Sequence, residues 1–238
     1  MSTSFTRPGE LQTNTPLGLS WRLMEPVPAQ VRQCVILLHG VGSVESHMAE
    51  LADGMAPDAL VVLVRGPLQL GPGQFAWFRV AFTANGPSIN VAEAEHSRQA
   101  LVHFVQQLQG LYGLSAENTV IAGFSQGGIM SASMALSTPE SVAGFGLLSG
   151  RILPELAPHL ASKQRLATLK AFVAHGEQDS TLPVTWALRA DTLLNELGVS
   201  HELHLYPMAH SISAATHADF LTWLAALRTP QPQEPHHA

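Results

Sequence analysis

Short, almost unbroken apolar runs alternate along the chain with longer stretches in which apolar residues recur every three or four positions. The apolar runs fall at residues 19–24, 33–38, 59–64, 118–123, 144–148, 170–174 and 202–206, and most are built from Val, Ile, Leu, Ala or Phe. A strand with one wet face alternates in polarity, whereas a strand covered on both faces does not, so these runs predict buried strands. The amphipathic stretches predict helices. In 91–112, Leu101, Val105, Leu108 and Tyr112 form one stripe, and Gly113 can end the helix. In 183–197 the stripe is Trp186, Ala190, Leu193 and Leu197, with Gly198 beyond it. In 211–227, Phe220, Leu224 and Leu227 share a face, and segments 48–55 and 125–136 complete the helices.

Strand and helix alternating at this spacing predict an α/β fold: a mostly parallel central sheet with helices on both faces. Segment 19–24 is expected to be an antiparallel edge. Residues 1–228 are read as one domain, a size ordinary for this class. Two segments break the pattern. Residues 66–90 begin with Gly66, Pro67, Gly71, Pro72 and Gly73 and continue into the aromatic residues Phe75, Trp77, Phe78 and Phe82, so an irregular functional loop is expected there. Residues 229–238 carry Pro230, Pro232 and Pro235 and are read as a disordered tail.

Composition narrows the partners. Hydrophobic residues make up 46% of the chain and charged residues 13%, which excludes an intrinsically disordered protein. The net charge is −6 and the lysines are Lys163 and Lys170 alone, so the basic footprint of a nucleic-acid binder is missing. No run of 18 consecutive apolar residues occurs, which argues against a membrane span or stable anchor. The single cysteine, Cys34, lies inside an apolar run and cannot form an internal disulfide. A cytoplasmic protein is expected, with a homodimer left open.

In open parallel sheets, ligands bind at the carboxyl ends of the strands. Chemistry is therefore sought in the residues that follow each apolar run. After 118–123 comes Gly123-Phe124-Ser125-Gln126-Gly127-Gly128, a G-x-S-x-G pattern between a strand and a helix. The glycines permit a sharp turn that would hold the Ser125 hydroxyl above the sheet edge, with the positive end of the following helix behind it. The competing reading is a serine that merely caps a helix. A serine hydroxyl becomes a nucleophile only when a base takes its proton and an acid orients that base. Asp179 follows the 170–174 run, with Glu177 as its rival and helix capping as its plainer role. His210 follows the 202–206 run, with His217 as the weaker candidate. The chain order Ser125, Asp179, His210 is the order expected for this type of turn. Acyl transfer also needs donors for an oxyanion, and losing one typically costs about 10²–10³ in rate. The backbone N–H groups of Gln126 and of Val41, in the glycine-rich turn after 33–38, are the candidates. His39 is read as a structural hydrogen-bonder.

Leu38-His39-Gly40-Val41-Gly42, the hexapeptide around Ser125, His175-Gly176-Glu177-Gln178-Asp179 with Leu182-Pro183, and Ala209-His210 together resemble the phospholipase/carboxylesterase family of α/β-hydrolases. That family includes acyl-protein thioesterases and small bacterial carboxylesterases. Arg65-Gly66-Pro67 followed by Trp77-Phe78 resembles its segment leading to an aromatic pocket wall. The resemblance covers about residues 33–227. It implies little or no cap and no cofactor. It also implies ester or thioester hydrolysis of a small-molecule substrate, with Ser125 as nucleophile, His210 as general base then acid, Asp179 as its orienter, and Val41 and Gln126 as the oxyanion hole. Trp77 and Phe78 are assigned to substrate binding, the alternative being that they pack the long loop onto the body. The expected activity is that of a serine carboxylesterase. A thioesterase or lysophospholipase is the rival within hydrolases, and a catalytically silent binding module is the rival outside them. The chain departs from the common family pattern at Gly42-Ser43-Val44-Glu45, where Gly-Asp-Thr-Gly or a similar run is usual, and at Ala209, where glycine is usual.

A metal reading of His201-Glu202-Leu203-His204 fails on geometry, because His201 and His204 in a strand face opposite sides. Met130 and Met134, on the helix after Ser125, are expected in the core.

Overall fold

The computed structural model describes residues 7–13, 15–83 and 86–228, and side chains throughout these except at 82, 83, 86 and 87. Its centre is a sheet of eight strands: β1 (Arg7–Pro8), β2 (Trp21–Glu25), β3 (Gln33–Leu38), β4 (Ala59–Val64), β9 (Thr119–Phe124), β10 (Gly144–Leu148), β11 (Lys170–Gly176) and β12 (Ser200–Tyr206). They lie in the order β1-β2-β4-β3-β9-β10-β11-β12. From β4 to β12 every pairing is parallel, while β1–β2 and β2–β4 are antiparallel. The chain therefore has the α/β architecture expected of it. The antiparallel strand read at 19–24 is β2, but it is not the edge: the two-residue β1, too short to leave a pattern, pairs outside it.

Alternate residues of the central strands feed two cores. Cys34, Ile36 and Leu38 of β3 face one cluster, and Val35 and Leu37 face the other. The first cluster is covered by α1 (Val91–Tyr112), α2 (Gln126–Ser137) and α4 (Thr185–Leu197), through residues such as Phe104, Met130, Met134 and Leu194. The second is covered by a 3-10 helix at Glu45–Ala52 and by α5 (Ala214–Ala226), through Met48, Leu51, Phe220 and Trp223. A short α3 (Lys163–Leu166) lies between β10 and β11. Full burial of one Leu or Phe side chain stabilises the fold by about 1.5–3 kcal/mol, so these two layers supply the main driving force.

The helix signals act where the pattern puts them. α1 starts at Asn90, whose side chain accepts the Glu93 N–H, and ends at Gly113 in the left-handed region. α5 is capped by Ser213, whose hydroxyl oxygen accepts the Thr216 N–H. Three expectations need correction. Segment 48–55 is a 3-10 helix shifted to Glu45–Ala52. The buried face of α4 is Ala187, Ala190 and Leu194 rather than the stripe through Trp186. Segment 66–90 is not irregular: β5 (Leu68–Gly71) pairs with β6 (Gln74–Ala76), and β7 (Val80–Thr83) pairs with β8 (Gly86–Ile89), both antiparallel. The tail at 229–238 lies outside the described residues.

Candidate active site

Residues 123–128 leave β9 and enter α2 through a turn with no spare room. A Cβ on Gly127 would stand 2.1 Å from the Leu38 carbonyl oxygen, and one on Gly123 would stand 2.3 Å from the Gly127 carbonyl carbon. Only hydrogen at both positions lets the helix lie this close to the strands. The cost appears at Ser125, held at φ 53 and ψ −116, where a residue with a Cβ is strained. Its amide N–H donates to Leu148 O at 2.8 Å, and its carbonyl accepts the Ile129 N–H at 3.0 Å, so neighbouring strand and helix together impose the conformation. Ser125 is thus an N-cap in position, yet it makes no side-chain cap bond and its hydroxyl is used elsewhere.

That hydroxyl lies 2.9 Å from His210 Nε2. His210 follows β12, and its ring packs at 4.8 Å from that of Phe124. On the other side of the ring, Nδ1 lies 2.6 Å from Asp179 Oδ2. Asp179, in the turn after β11, is buried, and its second oxygen, Oδ1, accepts the N–H groups of Thr181 at 2.9 Å and Leu182 at 2.8 Å. A carboxylate so held can only accept, so Nδ1 is the protonated nitrogen of His210 and Nε2 is left to accept from the hydroxyl. Serine, imidazole and carboxylate come from three different strand ends and form one hydrogen-bonded chain. Glu177 is exposed, and His217 lies on α5 beside a separate hollow with His47. A second imidazole stands behind the carboxylate: His175 donates from Nε2 to Leu182 O at 2.7 Å, with Asp179 Oδ2 3.4 Å away.

The turn after β3 faces Ser125 from the opposite side. His39 accepts the Gly66 N–H at Nε2 (2.9 Å) and donates from Nδ1 to Gly40 O (2.8 Å). Its role is structural, and burial pushes its pKa down and keeps the ring neutral. Gly42 N–H donates to Phe75 O at 2.8 Å, and Phe75 N–H donates to Ser43 O at 2.9 Å, so the turn is stitched to β6. Val41 and Gln126 both line the cavity that contains Ser125. The first N–H groups of a helix have no intrahelical acceptor, which makes the start of α2 a natural place for an anion.

Beneath this turn lies a buried carboxylate that the sequence did not advertise. Glu45, one of the departures from the family pattern, accepts from Arg22 Nε at 2.6 Å and from Arg65 Nε and Nη2 at 2.5 and 2.8 Å. Burial pushes its pKa up, but the hydrogen bonds from Arg65 and Arg22 outweigh that and hold it below the ordinary range. Gln126 likewise does more than its backbone suggests. Its side-chain oxygen accepts the Trp77 N–H at 2.8 Å and its amide donates to Phe78 O at 2.7 Å.

The cavity beside Ser125 has a volume of about 660 Å³ and largely apolar walls, among them Phe78, Ile89, Ile129, Leu182 and Trp186. Phe78 lines this cavity. Trp77 does not: it is fully buried behind the wall, its indole N–H donates to His39 O at 3.0 Å, and it packs the loop onto the body. The two residues sit in the bend between β6 and β7, which turns Phe78 toward the cavity and Trp77 into the body. Sequence reasoning also passed over Arg151 and Trp186, both on the cavity wall. Arg151 stands just past the end of β10, at a strand end where no motif marks it in the sequence. A larger hollow of about 890 Å³ lies between residues 9–27 and the end of α1 and shares no lining residue with this cavity. Among the described residues, no cluster of His, Cys, Asp and Glu could hold a metal ion.

A mostly parallel sheet carrying a strained serine between strand and helix, with an acid and a histidine at later strand ends, defines the α/β-hydrolases. Within that class, the phospholipase/carboxylesterase family matches residues 24–227, and the chain belongs to it. It is a hydrolase of the serine type, similar to proteins named for ester and thioester cleavage. Acyl-protein thioesterase 1 of Kluyveromyces lactis is 25% identical over 210 residues, covering 82% of this chain and 91% of that protein. Esterase YpfH of Escherichia coli (strain K12) is 30% identical over 177 residues, covering 72% of this chain and 71% of that protein. The crystal structure of a carboxylesterase from Mesorhizobium loti superposes with a TM-score of 0.78 at 25% identity, covering 92% of this chain and 99% of that one.

Proposed function

We propose that the protein is a serine carboxylesterase that works through an acyl-enzyme. The observation that carries this reading is the chain of hydrogen bonds from Asp179 through His210 to Ser125, at 2.6 and 2.9 Å. The carbonyl of a bound ester is attacked by Ser125 Oγ while His210 Nε2 accepts the hydroxyl proton. Negative charge collects on the former carbonyl oxygen, and the N–H groups of Val41 and Gln126 hold it. The ester C–O bond then breaks, and His210 gives its proton to the departing alcohol. Water attacks the acyl-Ser125 ester by the same route and releases the acid. Asp179 keeps the imidazole in the tautomer that leaves Nε2 free and stabilises the imidazolium that forms. No cofactor or metal takes part in this scheme. The cytoplasmic location expected above stays part of the same proposal.

Replacing Ser125 with Ala is expected to lower turnover of a chromogenic ester by at least about 10⁴-fold while leaving the thermal midpoint close to wild type. Near-normal turnover in that variant would refute the assignment. The resemblance to acyl-protein thioesterases favours a second reading, thioester hydrolysis at the same site. A chain-length series on matched oxygen and sulfur esters separates the two. If a fluorophosphonate probe fails to label Ser125, the fold serves as a binding module instead.

A further inference from the structure

After β10 the chain is forced into a tight course against the nucleophile. Ser149 adopts φ 48, with its N–H donating to Ala174 O at 2.8 Å and its hydroxyl donating to Ser211 O at 3.2 Å. At Gly150 a Cβ would stand 2.6 Å from Leu147 Cδ1 and 3.0 Å from the carbonyl oxygen of Ser125. The next residue, Arg151, is thereby delivered into the same cavity as Ser125. Its guanidinium lies 4.7 Å from the centre of the Trp186 ring, and that ring carries the Arg189 guanidinium at 4.7 Å as well.

Arg151 is unlike the other arginine of this cavity. Arg79 is paired with Glu93, through both its guanidinium and its backbone N–H. Among the described residues, Arg151 has no carboxylate within ion-pair distance, and Glu155 acts on it only from farther away. Burial works against its charge, yet a guanidinium does not give up its proton in a protein. Such a half-buried cation among apolar walls, its planar fork without a hydrogen-bond acceptor among the described residues, is balanced only by the Trp186 face and the more distant Glu155 until a ligand supplies an anion. A purely hydrocarbon chain in this cavity would desolvate Arg151 further and return nothing.

We propose that Arg151 selects substrates bearing a carboxylate, so that the cavity takes esters with an apolar spacer between the reacting carbonyl and a terminal carboxylate group. Trp186 holds the guanidinium in place, and Arg151 binds the carboxylate in two parallel hydrogen bonds. This inference rests on the esterase reading and adds the substrate class to it.

The test compares 4-nitrophenyl hemisuccinate with the neutral 4-nitrophenyl butyrate, and 4-acetoxybenzoate with phenyl acetate. The first pair puts the carboxylate on the acyl side, and the second on the alcohol side. Wild type is expected to prefer the carboxylate ester within one pair. In Arg151→Gln the ratio of kcat/KM for that ester over its neutral partner should fall about 10–100-fold, and Arg151→Lys should recover part of it. A purely structural arginine would lower both esters together and leave the ratio unchanged, and that result, or a wild-type preference for the neutral ester in both pairs, would overturn the proposal. Succinate binding, followed by calorimetry on wild type and Arg151→Gln, separates this idea from the esterase reading. Succinate bound through Arg151 by a protein inert toward every ester would sink the hydrolysis and keep the carboxylate site. Active protein with no Arg151-dependent discrimination would do the reverse.

Discussion

Ser125 occupies a backbone conformation that costs energy, and its neighbours supply what holds it there: Leu148 on β10, Ile129 on α2, and glycines at 123 and 127 with no room for a methyl group. Strain of this kind costs about 1–3 kcal/mol and persists only where the surroundings over-determine it. The consequence is testable away from the nucleophile itself. In Gly127→Ala the added carbon meets the main-chain oxygen of Leu38 at 2.1 Å, which a side-chain rotation cannot relieve. Either β3 or the start of α2 must move, so both stability and activity should drop; a lowered thermal midpoint together with a loss of ester turnover is the expected result. A variant that keeps both would mean that the turn is looser than its geometry. At Asp179 the expectation differs. Asp179→Asn keeps the shape but favours the wrong imidazole tautomer, so kcat should fall by about 10⁴ with KM little changed, measured on the same ester.

At the scale of elements, the glycine-rich turn after β3 is held from below by an ionic clamp. Glu45, at the start of the 3-10 helix, ties Arg22 of β2 to Arg65 at the end of β4. Its carboxyl titrates below the ordinary range in the folded protein, so its stabilisation is fully present above the unfolded carboxyl pKa and is lost as the pH falls through the depressed folded value. Removing one partner of a buried pair costs about 3 kcal/mol, so Glu45→Gln should lower the thermal midpoint at neutral pH by about 6–12 °C. The variant should also lose part of the acid sensitivity of wild type, and scanning calorimetry across acidic pH reads both effects. Equal slopes of midpoint against pH in the two proteins would show that Glu45 does not contribute. This clamp was hidden in the sequence because its three members lie far apart along the chain and no local period connects them. The hairpins β5–β6 and β7–β8 escaped for a related reason: their strands are only three or four residues long, too short to reveal a period of their own, and Gly and Pro lie among them. The long central strands and α1 were legible because each carries enough apolar positions to reveal its own pattern, and Asn90 and Gly113 mark the ends of α1 as Gly198 marks the end of α4.

Across the whole molecule, the sheet brings together residues that the chain separates widely. β9, β11 and β12 end at the same edge, so serine, acid and histidine meet although 85 positions separate Ser125 from His210. The rule that ligands sit at the carboxyl ends of parallel strands is what made Ser125, Asp179 and His210 readable before any coordinates. The same rule covers Arg151, three residues past the end of β10, but no local motif singles it out there. The pocket wall was half legible: Phe78 faces the cavity and Trp77 the interior, and the choice between them depends on which way the chain enters, a matter of tertiary packing. The buried thiol of Cys34 is pushed up in pKa by desolvation, so a thiol-directed reagent has no competing nucleophile to find there.

The most direct test of the account is to quench the reaction with a chromogenic ester within its first turnover and map the acyl group by mass spectrometry. The account predicts an adduct on the peptide containing Ser125, formed at the rate of the product burst, with formation slowed by at least about 10⁴-fold in His210→Ala. An acyl group found elsewhere, or acylation of Ser125 at an unchanged rate without the imidazole, would contradict it.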